Sequence, residues 1–321
     1  YAEAYAHYIF IAAPFMICSF IMNNLLRFQG KASFAMVGIT VGGLLNIALD
    51  PLFIFTLDMG TAGAALATGL SQFISFCILL WMRNHQDSCI SISIRKFRPK
   101  LAIYREVLYG GIPSLGRQGI ASVATILMNF MCQPYGDAAI AAMSIVSRFM
   151  FFINSVIIGF GQGFQPVCSY CFGAGLYDRV KKACWFCIRV STIILLVLSV
   201  ISFPAARSII TLFRRNDPTV IEIGTLALRL QLITLPLQGA VIMGNMMPQS
   251  IGYGFRATLV STARQGIFLI PLLTIMAYTM GLLGIQCAQP LADIATFILS
   301  LFVIRGIFKE FPEDASSFAA Q

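Results

Sequence analysis

Apolar residues along this chain come in long blocks with short polar breaks between them. Nine blocks are long enough to cross about 30 Å of hydrocarbon as helices. They lie at 8–26, 33–57, 61–82, 106–132, 138–163, 183–204, 222–248, 255–280 and 283–307. Most breaks are short, as at Arg27–Ala32, Asp58–Gly60 and Gln133–Asp137. The longest, Arg83 to Arg105, has no helical apolar period and carries Arg95, Lys96, Arg98 and Lys100. It reads as a linker between two lobes. The expected division is 1–84 for three spans, 85–105 for a cytoplasmic linker, 106–308 for six spans and 309–321 for a cytoplasmic tail.

Composition supports a membrane reading. The 321 residues are 58% hydrophobic and 11% charged, against about 25% charged in soluble domains. Mean hydropathy is +0.82. The chain is therefore read as an all-α polytopic membrane protein. A net charge of +9 does not mark a nucleic-acid binder, because the basic residues are spread between apolar blocks. Their spread sets an orientation instead. One set of alternate junctions holds Arg27, Lys31, Arg83, the linker cations, Arg179, Lys181, Lys182, Arg256, Arg305 and Lys309; the other holds only Arg207, Arg214 and Arg215. The first set, and with it the C-terminus, is expected to be cytoplasmic.

Within the second block stands Asn46-Ile-Ala-Leu-Asp50-Pro51, in a run from Ala32 to Leu57 without Lys, Arg or Glu. A carboxylate near the bilayer centre costs about 2.5–3.5 kcal/mol on insertion scales. Asn46 and Asp50 share one helix face, and Pro51 is expected to kink or loosen the helix. A carboxylate, an amide oxygen and a freed carbonyl together make a candidate hard-cation or proton site. The plainer alternative is a helix-ending Asp-Pro turn at the membrane surface.

A weak repeat relates Pro51-Leu-Phe-Ile to Pro271-Leu-Leu-Thr, Gly60 and Gly63 to Gly281 and Gly284, and Gln72 to Asp293. Spans one to three then match spans seven to nine. A twin of the second lobe would begin about 115 residues before Tyr1, so a piece of a longer, twelve-span chain is expected. Two six-span lobes have the same orientation in the membrane.

The run from Gly161 through Gln165-Pro166, Tyr170 and Gly173-Ala174-Gly175 to Arg179 is placed between spans five and six. Here the sequence resembles the multidrug and toxic compound extrusion (MATE) transporters, closest in style to their MepA-like bacterial branch. The Arg27–Lys31 run, the Asn46–Pro51 run and Gly60 to Thr68 resemble the same family. Cys171 departs from it, since the family usually has Asn there. The resemblance implies nine helices of a twelve-helix, two-lobe fold. It also implies an antiporter in the cell inner membrane that exports amphipathic, often cationic compounds against H⁺ or Na⁺, as a monomer without a bound cofactor. In several members a cation site uses an Asn and Asp four apart and a Thr on the next span, which Asn46, Asp50 and Thr68 match. Other members use acids on two spans of the C-terminal lobe, and the corresponding blocks here, 106–132 and 222–248, have no acid beyond Glu106 and Glu222 at their ends. A flippase of lipid-linked precursors or a polysaccharide exporter is the alternative function.

Other candidates follow from charge and softness. Arg117, Arg148, Arg229, Arg264 and Asp293 lie within apolar blocks, and intramembrane charges are functional candidates by default. Asp293 is expected to pair with an arginine such as Arg264, with Arg117 a further member of that network; snorkelling arginines are the alternative. Phe149, Phe152 and Met243 offer soft apolar surface for a promiscuous substrate. Cys168-x-x-Cys171 and Cys184-x-x-Cys187 imitate a zinc pattern, but their apolar neighbours point to packing. Gly42 with Gly43, and Gly159, Gly161 and Gly163, read as positions of close helix approach. Gly111-Ile-Pro113 is expected to break the start of its span. With only His7 and His85, no catalytic triad is arguable, and the chain is not read as an enzyme.

Overall fold

The computed structural model describes residues 2–85, 100–214 and 217–311, apart from the side chains of 2–5, 106, 107, 109–114, 116 and 117. The described residues form helices and short turns without strands. In hydrocarbon this is forced, since a helix satisfies its own backbone hydrogen bonds. The chain divides into two compact units, Tyr1–Arg98 and Pro99–Gln321.

Unit 1 holds α1 (Ala2–Phe28), α2 (Ala32–Pro51) and α3 (Gly60–His85). Pro51 does not end its helix. The helix runs on as a π-helical turn, Leu52–Thr56, in which Leu57 N–H reaches back to the Leu52 carbonyl at 3.0 Å. A widened turn is one of the ways in which a membrane helix re-satisfies backbone groups around a proline. The Asp-Pro turn is thereby excluded. Asp58 (φ 49) and Gly60 (φ 54) then reverse the chain in the left-handed region.

α2 meets α3 across a seam of small residues. A Cβ added at Gly42 would stand 2.9 Å from the Ser75 Cβ, and one at Gly38 would strike the Leu79 side chain. That closeness lets Ser75 Oγ donate to the Gly38 carbonyl at 2.9 Å. Asn23 of α1 likewise donates to the Ala35 carbonyl at 2.7 Å. Such interhelical bonds and small-residue seams hold helices where lipid removes the hydrophobic drive. Gly43 faces open space, so only one residue of the expected Gly42–Gly43 pair serves this purpose.

Unit 2 holds α4 (Leu101–Cys132), α5 (Asp137–Gly173), α6 (Tyr177–Phe213), α7 (Pro218–Thr234), α8 (Gln238–Ser250), α9 (Gly254–Thr262), α10 (Leu269–Met280) and α11 (Leu282–Glu310). α7 and α8 are one span interrupted by a 3₁₀ turn at Leu235–Leu237, and α9 and α10 are one span joined by a π-helical stretch, Ala263–Phe268. The core lies along one stripe of α5, from Ala139, Met143 and Val146 to Phe164 and Cys168, as helical periodicity requires. Opposite faces carry Phe151, Val200 and Phe302, each exposed as lipid-facing side chains are. Ser199 donates to the Leu232 carbonyl at 2.7 Å, and Ser300 to the Ala240 carbonyl at 3.0 Å.

Some expectations change here. Among the described residues, eight helical stretches are long and apolar enough to cross a membrane; the fourth block, most of whose side chains before Gln118 lie outside the described residues, is not counted with them. The fourth block forms a helix as expected, α4 over Leu101–Cys132. That helix passes through Gly111 and Pro113 unbroken. The glycine- and proline-containing segment after Gly161 is not a junction either. α5 continues to Gly173, and the turn needs only Ala174 to Leu176, with Gly175 at φ 72. Of Gly159, Gly161 and Gly163, Gly161 alone meets a neighbour, the side chains of Met243 and Met246. Of the expected linker, 86–99 lies outside the described residues, as does 312–321 of the expected tail; Lys309 and Glu310 belong to α11.

The α2–α3 seam makes a graded prediction. Gly42→Val should lower the melting temperature of the detergent-purified chain by several degrees, because the Ser75 backbone segment must move. Gly43→Val, on the open side of the same helix, should change it little.

Candidate functional site

The polar residues of unit 1 converge on one place. Asn46 and Asp50, one turn apart on α2, meet Thr68 of α3. Asn46 Nδ2 donates to Asp50 Oδ1 at 3.3 Å and to Thr68 Oγ1 at 3.4 Å. Thr68 Oγ1 in turn donates to the Ala64 carbonyl at 3.0 Å. All three side chains are half-buried. Both amide bonds are at the long end of the hydrogen-bond range, so the amide is loosely held. Among the described residues no lysine or arginine lies within ion-pair distance of Asp50. The three side chains offer carboxylate, amide and hydroxyl oxygens, the donors that hard cations take.

Unit 2 answers the same problem differently. Asp293 of α11 is 1% exposed. Its Oδ1 accepts from Arg264 Nε at 2.8 Å and Gln289 Nε2 at 3.2 Å, and its Oδ2 from Gln238 Nε2 at 2.9 Å. Arg264 sits in the π-helical stretch between α9 and α10. The Arg117 side chain lies outside the described residues, so the structure does not place it in this network. Gln289 stands one turn before Asp293, a spacing visible in the sequence. Gln238 comes from another helix, 55 positions away, and no local pattern points to it.

The repeat sharpens the comparison. Gly60 and Gly281 both open a helix at positive φ, and a Cβ at Gly63 or Gly284 would strike the backbone carbonyl of Phe53 or Met276 respectively. At the same offset Thr68 stands opposite Gln289 and Gln72 opposite Asp293. Each unit therefore carries a polar cluster between the matching pair of helices. In unit 2 a guanidinium neutralises the carboxylate; in unit 1 no described cation does.

The apolar candidates do not gather into one surface. Met243 is fully buried in the unit 2 core and packs toward Gly161, so it lines no open surface in this structure. Phe149 is half-buried against that core, while Phe152 is exposed. Cys168, Cys171, Cys184 and Cys187 are buried free thiols on α5 and α6, and among the described residues no group of His, Cys, Asp or Glu is arranged to hold a metal ion.

The burial and pairing of Asp293 set its mutational behaviour. Asp293→Leu strands Arg264 without its anion and should cost up to about 3 kcal/mol, less to the extent that the 22% exposed Arg264 side chain reaches water. Arg264→Met combined with Asp293→Leu should recover most of the loss. Thermal melting of the three purified proteins checks this.

Comparison with known proteins agrees with the geometry. The chain is 29% identical over 306 residues to the Multidrug export protein MepA of Staphylococcus saprophyticus, covering 95% of this chain and 67% of that protein. It is 27% identical over 317 residues to the protein of the same name from Staphylococcus haemolyticus, covering 99% and 70%. A crystal structure of MATE in complex with MaL6 superimposes with a TM-score of 0.88 at 25% identity, over 96% of this chain and 70% of that one. Both MepA relatives are named as export proteins. The MatE family model matches residues 113–282, just over half of the sequence. With eight described helices fit to cross a membrane, the chain is a multi-pass membrane protein that belongs to the MatE family.

Proposed function

We propose that this chain serves a secondary active exporter of amphipathic, often cationic drugs, and that Asp50, Asn46 and Thr68 form its ion-coupling site. The observation that carries the reading is Asp50, a half-buried carboxylate with one long hydrogen bond and no described basic partner. The export proteins among its relatives support the substrate class. A cation can drive a transporter only if it binds two arrangements with different affinity. The Asn46 amide supplies a physical means. Without a cation its Nδ2 faces Asp50 and Thr68. A sodium ion at Asp50 would favour the amide turned over, with Oδ1 as a ligand; a proton on Asp50 would turn the carboxyl into a donor toward that same oxygen. Either event exchanges the bonds between α2 and α3. The proposed orientation places the α6–α7 junction outside and the C-terminus in the cytoplasm, following the distribution of basic residues.

Asp50→Asn should abolish gradient-driven efflux of a cationic dye while leaving membrane expression at the wild-type level. Thr68→Ala, which removes one weak ligand, should reduce efflux severalfold without abolishing it. Dye efflux in proteoliposomes under a proton gradient without sodium, and under a sodium gradient at uniform pH, identifies the ion. Gradient-dependent efflux that persists at full rate in Asp50→Asn overturns the assignment.

A further inference from the structure

A cavity of about 830 Å³ opens in unit 2 where α6 ends and α7 begins, bounded also by the start of α11. Its lining includes Arg207, Glu222, Leu226, Arg229, Leu283 and Gln286. Counting helix rise, Glu222 and Gln286 stand about 6 Å into α7 and α11, Arg207 about 9 Å before the end of α6, and Arg229 about 16 Å along α7. The cavity thus runs from the helix ends toward the apolar zone, where an unpaired arginine is costly.

Glu222 stands seven positions before Arg229 on the same helix, about 10 Å along its axis. Among the described residues Arg207, Glu222 and Arg229 take part in no ion pair, and Arg229 lies over the Phe203 ring at 5.5 Å. Gln286 is 2% exposed; its Nε2 donates to the Ile223 carbonyl at 3.1 Å, and its Oε1 is buried with no hydrogen-bond partner. Buried acceptors in native proteins are nearly always satisfied, so this oxygen points to a donor from outside the chain. The cavity thus presents two separated cations, one anion and one unsatisfied acceptor between apolar walls.

We propose that this cavity binds a phospholipid with a phosphoethanolamine headgroup. The phosphate lies between Arg207 and Arg229, the charge-assisted contact that guanidinium groups favour. The ammonium donates to Glu222 and to Gln286 Oε1, and the acyl chains follow Leu226, deeper along α7 than Glu222. A choline headgroup has no N–H for the two acceptors. A glycerol headgroup leaves Glu222 facing an anion with no cation between. The inference does not depend on the transport reading, since it concerns a different cluster of residues.

The test uses the full chain, purified and delipidated, titrated with phosphatidylethanolamine, phosphatidylcholine and phosphatidylglycerol of the same acyl composition and followed by native mass spectrometry. Phosphatidylethanolamine should bind at least tenfold more tightly than either of the others. Arg229→Gln should lose at least tenfold of that affinity, and Arg229→Lys less. Glu222→Gln should erase the preference over phosphatidylcholine. Arg214→Gln, which alters a cation outside the cavity lining, should bind as wild type. Free phosphoethanolamine should compete only weakly. Equal binding of the three lipids by the wild-type chain overturns the proposal whether or not the variants fold. So does competition by free phosphoethanolamine at the affinity of the intact lipid, which would assign the cavity to a soluble phosphate ester.

Discussion

Hydrocarbon offers a buried carboxylate no water, and most of what is informative in this chain follows from that constraint. Asp293 meets it with three donors from three elements, one of them a guanidinium. Asp50 meets it with one amide at 3.3 Å. Both acids lie in apolar helices, where such a residue costs about 2.5–3.5 kcal/mol on insertion scales. In the first, both carboxylate oxygens have their donors, and the bonds join α11 to α8 and to the π-helical stretch beside α10. The second is incomplete, and a site that exchanges a cation has to be incomplete in one of its states.

The internal repeat explains why the two sites are comparable at all. Matching glycines at 60 and 281 turn the chain through positive φ, and matching glycines at 63 and 284 let the following helix press against a backbone carbonyl. The scaffold between those points is shared, while the charges set on it differ. Unit 1 places its acid on the second helix of the repeat and a hydroxyl on the third. Unit 2 places its acid on the third and an arginine on the second. The same architecture thus holds a neutral, locked pair in one unit and an acid without a described counter-charge in the other.

Legibility in the sequence followed the range of the interaction. Spans were readable because apolar length is a local property, and the Asn46–Asp50 pair because one helical turn is local too. The approach of Thr68 came through family resemblance, and Gln238 was missed because its meeting with Asp293 is made only by tertiary packing. The end of α5 was under-read, because glycine and proline in a membrane helix do not stop it when neighbouring helices support the backbone. Met243 shows the same limit from the other side: a soft side chain reads alike whether it lines a path or fills a core, and here it fills one.

The account rests on Asp50 as the group that takes up the coupling cation. Cation uptake by the purified protein measures this most directly, with sodium binding and proton release titrated side by side in wild type, Asp50→Asn and the Arg264→Met, Asp293→Leu pair. One cation per chain should be taken up by the wild type and by the unit 2 pair, and none by Asp50→Asn. Full uptake by Asp50→Asn, or its loss only in the unit 2 pair, would contradict the account.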